Sequence, residues 1–432
     1  MKERMRQAFT RRVKVTLLFF IVIVLACTSI SIGKSNYSTH HNQSSHLKWV
    51  GGWEASPQAP RPFGFSQQGF FHQTIRLVIH PHLSGEAVRL TFSNIFGQKP
   101  VTFGQVHIAI SSKGNRIIPG TDHPVTFAGH PSVTLPAGGQ VKSDVIPFKV
   151  INGRNLTVSI YIPERTGPAT WHALSNQIAY VSNSGNHAQE TSGTAYKTKL
   201  FGWYWLSGVD IQTASSVPGV IVALGDSITD GLHSSINSNH RWPDYFAERL
   251  SQGPLDQQYS VLNAGISGNR ILVNSLRNGV SARTRLQRDV LSQTGVTDVI
   301  FLEGINDIGK LPHTYDANKI IAGMKTIIKQ VHAKGLTIYG GTLTPFQGKI
   351  GGYYTEQGER TREQVNHWIR TSGAFDGVID FDKALRDPNH PHRLLSRYDS
   401  GDHLHPSDLG YQAMANAAYL TLFDRKHHSP TP

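Results

Sequence analysis

Two patterns of apolar and polar positions divide the chain. Between Trp49 and about Ile211, apolar residues alternate with polar ones over short runs: Gln73–His80, Ala87–Ser93, Val101–Ile110, Val133–Leu135, Val141–Val150 and Leu156–Ile162. A period of two marks strands with one buried face, and the Gly, Pro and Asn residues between the runs supply turns. No long helical period interrupts them, so this region predicts a β-sandwich. Beyond Pro218 the pattern changes. Val220–Leu224, Tyr259–Leu262, Asp298–Leu302, Leu336–Gly341 and Val378–Phe381 are short apolar runs. They alternate with the segments Trp242–Leu250, Ala282–Leu291, Ala317–Ala333, Arg362–Ser372 and Tyr411–Phe423, which read as helices. Near-continuously apolar strands between helices predict an α/β domain, a parallel five-stranded sheet in three layers. A flavodoxin-like strand order would open a site at the carboxyl end of its first strand.

The N-terminus follows neither pattern. Lys2, Arg4, Arg6, Arg11, Arg12 and Lys14 precede the apolar run Leu17–Ala26, with Glu3 the only negative residue among them. A basic n-region, an apolar stretch and a small, polar tail are the layout of a secretory signal peptide. An uncleaved membrane anchor is a rival reading, because the stretch is nearly long enough to span a bilayer. Cys27, the single cysteine, follows Val24-Leu25-Ala26 and resembles a bacterial lipoprotein box, although Leu25 is unusual there. All three readings export the chain. The expected organisation is residues 1–33 as signal peptide or anchor, 34–48 as linker, 49–215 as β-sandwich and 216–432 as α/β domain.

Composition adds exclusions. With 38% apolar and 16% charged residues the chain is of ordinary globular type. The net charge of +13 invites a nucleic-acid partner. Part of it is the N-terminal cluster, and the remaining Lys and Arg form no stripe, so a nucleic-acid partner is not expected. One cysteine rules out an internal disulfide framework and a thiolate metal cluster.

Four polar turns of the second half carry candidate chemistry. Gly225-Asp226-Ser227-Ile228-Thr229 follows the first apolar strand. Asn263-Ala264-Gly265-Ile266-Ser267-Gly268-Asn269-Arg270 follows the second, and Glu303-Gly304-Ile305-Asn306-Asp307 the third. Asp402-His403-Leu404-His405-Pro406 precedes the last helix. Parallel topology brings such turns to one edge of the sheet. A serine, backbone N–H groups, an amide, a carboxylate and an imidazole would meet there, the components of acyl transfer by a serine nucleophile. Other chemistries fit worse. The chain has no Gly-x-Ser-x-Gly elbow, no Gly-x-x-x-x-Gly-Lys phosphate loop and no His-Glu-x-x-His helix. Asp402, His403 and His405 could reach a metal, but no further ligands are visible in the pattern.

These four blocks, in this order, resemble the motif blocks of the SGNH, or GDSL, hydrolases over roughly Pro218 to Phe423. Gly401-Asp402-His403-Leu404-His405-Pro406-Ser407, with the β-rich region upstream, is most similar to a subgroup around acetyl-xylan-type esterases. The resemblance implies Ser227 as nucleophile, His405 as general base and then acid, and Asp402 as the carboxylate that orients the imidazole. It implies an oxyanion hole from Ser227 N–H, Gly268 N–H and the Asn306 amide, and no metal or organic cofactor. His403 competes with His405 as the base. Asp226 and Asp307 read as turn residues, Arg270 and Glu303 as candidates to line the pocket, and Ser407-Asp408 as the cap of the last helix.

The expected protein is therefore an exported serine esterase acting on short acyl, notably acetyl, esters of small molecules or polysaccharides. A lipase, lysophospholipase or arylesterase would use the same residues. A carbohydrate-binding protein with a vestigial hydrolase domain is the non-enzymatic alternative. Trp49, Trp53, Trp171, Trp203 and Trp205 read either as a glycan platform or as core packing.

Overall fold

The structure, a computed structural model, describes residues 47–254 and 258–423. The apolar N-terminal run and Cys27 lie outside the described residues. The first strand, Leu47–Glu54, pairs with Leu206–Ala214 from Leu47↔Ala214 onward. Leu47 and Lys48, placed in the linker by the sequence pattern, are thus strand residues.

The β-rich half is built mainly from two antiparallel sheets, with two-stranded ribbons pairing Trp171–His172 with Trp203–Tyr204 and Val101–Phe103 with Val133–Leu135. In one sheet, Leu47–Glu54, Leu206–Ala214 and Gly85–Ser93 lie side by side, and Gly85–Ser93 pairs further with Gln140–Lys142 and Ile146–Val150. In the other the order is Tyr196–Phe201, Ile178–Ser184, Gln73–Ile79, Leu156–Ile162, Gln105–Ile110 and His123–Val125. Alternation holds where one face meets the core and the other meets solvent, as in Ile146–Val150. It fails in Gln73–Ile79, because Arg76 is also buried, donating to the carbonyls of Asn115 and Glu190. Two apolar runs prove to be two strands each. Val101–Ile110 breaks at Gly104, and Val141–Val150 breaks over Ser143–Val145.

The second half is the expected three-layer α/β domain. Its strands β1 (Val220–Gly225), β2 (Ser260–Gly265), β3 (Val296–Leu302), β4 (Thr337–Gly341) and β5 (Gly377–Ile379) are parallel, in the order β2-β1-β3-β4-β5. β1 is buried throughout, since strands flank both its edges and helices cover its faces. The helices are α1 (Ser227–Asp230), α2 (Trp242–Ser251), α3 (Ala282–Leu286), α4 (Ile305–Gly309), α5 (Ala317–His332), α6 (Glu356–Thr371), α7 (Phe381–Leu385) and α8 (Asp408–Phe423). In α5 the residues Ile320, Met324, Ile327, Ile328 and Val331 form the buried stripe. α6 begins at Glu356, six residues before the expected start, because the Thr355 hydroxyl caps Gly358 N–H at 2.9 Å. α3 continues into a π-turn at Gln287–Leu291. Among the described residues no helix is long and apolar enough to cross a membrane.

One hydrophobic core runs through both halves, from Trp53 and Ile211 to Leu262 and Val299. Polar contacts cross the same seam. Gly51 N–H donates to Thr294 O at 2.7 Å, and Ser260 Oγ donates to Gly51 O at 2.6 Å. Trp53, Trp171, Trp203 and Trp205 are buried in this core. Trp49 lies beneath the guanidinium of Arg89, 4.1 Å from ring centroid to Cζ. None of these five offers a free platform.

Candidate active site

The turns after β1, β2 and β3 leave the sheet side by side, because Gly225 pairs with Gly265 on one edge and with Leu302 on the other. β1 ends at Gly225, where a Cβ would press on the Thr229 side chain and on Leu302 O, 2.8 Å away. Asp226 then caps α1, accepting from Ile228 N–H at 2.9 Å. This is the local role expected of it, and it places Ser227 at the first turn of the helix.

Ser227 Oγ lies 2.8 Å from His405 Nε2, although 178 residues separate them. His405 Nδ1 lies 2.7 Å from Asp402 Oδ2. The other oxygen of Asp402 accepts from the backbone N–H of Leu404 at 3.0 Å and of His405 at 2.8 Å. The carboxylate thus shapes the turn that presents the ring, which explains the three-residue spacing. With Nδ1–H donating to Asp402, Nε2 is free to accept the serine proton. Half-burial works against an ionised Asp402, but the hydrogen bonds and charge of His405, with Lys349, outweigh it and hold the carboxyl well below the usual carboxylate range. Burial lowers the His405 pKa; Asp402 opposes this, while His233 and Lys349 add to it, and the net direction is down. His403 turns away. Its Nδ1 bonds Asp399 Oδ2 at 2.6 Å, and its φ of 61° takes the chain through the left-handed region.

Asn306 lies near the start of α4. Its Oδ1 accepts from the Tyr353 hydroxyl at 3.0 Å, while its Nδ2 is buried without a hydrogen-bond partner among the described residues. Fixing Oδ1 fixes where Nδ2 points. An unpaired buried donor is costly, and it is the state in which an amide waits for a developing negative charge.

Gly268 has φ 79°, and a Cβ there would meet Lys310 and, at 2.8 Å, Asn278. Its loop is pinned from several sides. Asp230 Oδ2 accepts Ser267 N–H at 2.7 Å, and Arg285 donates to Ala264 O at 2.6 Å, Gly225 O at 2.9 Å and Asn269 Oδ1 at 2.9 Å. Asp307 does not cap its own turn. It accepts from Ile271 N–H at 2.9 Å and Leu272 N–H at 3.0 Å, tying the β3 turn to the β2 loop. Ser407, rather than Asp408, caps α8 through Gly410 N–H at 3.3 Å; Asp408 bonds Ser235 N–H and His240. Glu303 is fully buried, its carboxyl oxygens without a hydrogen bond among the described residues and Oε2 3.9 Å from Arg285, so it lies behind the surface rather than lining it. Arg270 lines a cavity with Gly268.

Four residues near this site carry no motif. Lys349 Nζ donates to Asp402 Oδ2 at 2.7 Å, the oxygen that also takes His405 Nδ1–H. Tyr353 comes from the same loop, and Lys310 and His233 border the site, the His233 ring 5.5 Å from that of His405. The only sequence sign of the loop is its glycine cluster, Gly348, Gly351 and Gly352, all with positive φ. The metal trio Asp402–His403–His405 is not assembled, since His403 faces Asp399. His233, Asp402 and His405 do lie within chelating reach. Two of those donors, however, bond each other, and His405 Nε2 bonds Ser227.

Residues 223–413 match the sequence profile of the GDSL-like Lipase/Acylhydrolase family. With its four motif blocks at one sheet edge, the second half of this chain belongs to the SGNH/GDSL hydrolases and is a carboxylic ester hydrolase. Similar solved structures include an acetyl xylan esterase (23% identity, TM-score 0.37, covering 46% of this chain and 98% of that one). An acetyl xylan esterase from Geobacillus stearothermophilus is 20% identical with TM-score 0.37, over 47% of this chain and 94% of the other. A GDSL-like lipase from Bacteroides thetaiotaomicron VPI-5482 is 15% identical with TM-score 0.36, over 46% and 86%. No curated protein matched the chain.

Proposed function

We propose that the protein is an exported serine esterase that cleaves short acyl esters through an acyl-enzyme. The observation that carries the reading is the unbroken line Ser227 Oγ–His405 Nε2, His405 Nδ1–Asp402 Oδ2, at 2.8 and 2.7 Å, beside the unpaired Asn306 Nδ2. Ser227 attacks the ester carbonyl while His405 takes its proton. Asn306 Nδ2, with the N–H groups of Ser227 and Gly268, receives the oxyanion. The protonated His405 then gives its proton to the leaving alcohol, and water repeats the sequence on the acyl-enzyme. A short acyl group is favoured because the cavity beside Gly268, about 210 Å³ and lined largely by polar side chains, offers no apolar channel for a long chain. In a p-nitrophenyl series, kcat/KM falls from acetate through butyrate to octanoate; a rise toward octanoate overturns the short-acyl assignment. Export rests on the N-terminal sequence pattern, and sequencing the N-terminus of the protein recovered outside the cell tests it.

Lipid esters are a second reading, favoured by exposed apolar side chains on the flanking loops: Leu276, Leu311 and Ile350 are 86%, 81% and 83% exposed. Activity that jumps when a soluble ester is presented as micelles would select it.

Two expectations concern the Gly348–Tyr354 loop. Tyr353→Phe frees Asn306 Oδ1 and with it the aim of Nδ2. We expect kcat to fall about tenfold with KM little changed, less than removal of an oxyanion donor costs. The second concerns pH. His405 acts as base only when neutral, and its pKa is lowered from the ordinary 6.5. The acid limb of kcat/KM therefore rises through a pKa below 6.5. Lys349→Met removes a cation that disfavours protonated His405 and frees Asp402 Oδ2 for the ring. Both effects raise the His405 pKa, so the acid limb moves to higher pH. An unmoved or lowered limb contradicts the assignment.

A further inference from the structure

The cavity beside Gly268 holds charges that the Ser227–His405–Asp402 line does not use. Arg270, Asn278, Lys310 and Leu311 are among its lining residues. Lys310 follows α4, and its Nζ reaches the Gly268 carbonyl at 3.4 Å, a marginal hydrogen bond. Arg270 is 6% exposed and directs its terminal nitrogens to Leu311 O at 2.9 Å and Pro312 O at 3.1 Å. Among the described residues neither cation forms a salt bridge. Arg277, exposed on the loop that lines the cavity, adds a third positive charge close enough to act on Lys310.

Nearby acids do not offset these charges in full. Asp226 and Glu303 are close enough to act on Lys310, and Asp307 on Arg270, and all three are buried. Burial pushes the Asp226 carboxyl up to about 7, that of Asp307 up to about 6, and that of Glu303 well above its ordinary value. Near neutral pH the acids thus carry only part of their formal charge. Burial also lowers the Lys310 pKa. A half-buried ammonium beside a buried guanidinium, their hydrogen bonds among the described residues going to backbone carbonyls, is an unfavourable arrangement that an incoming anion relieves.

We propose that this cavity is an anion-binding subsite, and that the preferred substrate is an ester with a carboxylate or phosphate close to the scissile carbonyl. The inference rests on the esterase reading and adds the substrate class to it. Lys310 supplies a mobile point charge, and Arg270 a fixed field from the wall. Because Gly268 belongs both to the cavity and to the proposed oxyanion hole, an anion held here sits a few atoms from the reacting carbon. The neutral counterpart gains nothing from either cation.

Two matched pairs of esters test this. One compares methyl O-acetylgalacturonate glycoside, as the free acid, with methyl O-acetylgalactoside. The other compares acetylglycerol phosphate with acetylglycerol. The expected result is a kcat/KM at least about tenfold higher for the charged member of one pair, shrinking as salt screens the contact. The pair that shows the preference identifies carboxylate or phosphate as the anion. Lys310→Met brings the charged-to-neutral ratio toward one, Lys310→Arg retains most of it, and Arg277→Gln reduces it in part. Equal turnover within both pairs overturns the subsite, as does a preference that Lys310→Met leaves intact. A protein that turns over none of the four esters and takes no fluorophosphonate at Ser227 overturns the esterase reading itself, and the subsite with it.

Discussion

Ser227→Ala is expected to abolish ester hydrolysis, lowering kcat by about 10⁴-fold or more, and to remove labelling by fluorophosphonates. The hydroxyl is held at the first turn of α1 by the Asp226 cap, 2.8 Å from His405 Nε2. Ser267, in the β2 turn, has its backbone N–H committed to Asp230 Oδ2. The substitution removes one oxygen and leaves the cap, the sheet and the seam unchanged, so circular dichroism and melting temperature stay near those of the parent. Most activity retained in the alanine variant would falsify the assignment of the nucleophile.

Asn306→Ala is expected to lower kcat by about 10²- to 10³-fold with a much smaller change in KM. The reason is the asymmetry of the amide. Its Oδ1 is satisfied by Tyr353, while Nδ2 has no partner among the described residues and, on the proposed mechanism, gains one when negative charge develops on the substrate oxygen. Interaction confined to the transition state appears in kcat. Asn306→Asp loses more, because the acceptor it introduces repels the oxyanion. A change confined to KM would instead make Asn306 a ground-state binding residue. Comparison with Tyr353→Phe separates the donor from its support.

The α/β half was legible in the sequence because each of its parts is local. Val220–Leu224, flanked by polar turns, reads as a buried strand whatever surrounds it, and Asp402 and His405 share a single turn. The order β2-β1-β3-β4-β5 is the flavodoxin-like one, the chain crossing over β1 once between β2 and β3. The helix α6 was misplaced at its start because charged residues of its first turn, Glu356 and Glu359, mask the apolar period. Lys349, Tyr353 and Lys310 were not legible at all. Their importance lies in where a loop returns in space, and no short pattern encodes the approach of Lys349 to a carboxylate 53 residues away. The tryptophans, open to two readings in the sequence, are settled by burial: four are core residues, and Trp49 packs under Arg89.

The seam between the halves has a consequence for how the protein can be divided. His172, from the β-rich half, is buried and bonds Asp230 Oδ1 at 3.0 Å, while the other oxygen of Asp230 holds Ser267 N–H next to Gly268. Burial works against a charged His172, but Asp230 outweighs it and raises the histidine pKa. Cutting the chain near Pro218 would strip this partner from Asp230 and open Leu262 and its neighbours to water. The motif-bearing half is therefore not a transplantable module. Heated or titrated with denaturant, the two halves should melt in one cooperative transition, and attempts to shuffle the hydrolase half onto other scaffolds should return aggregated protein.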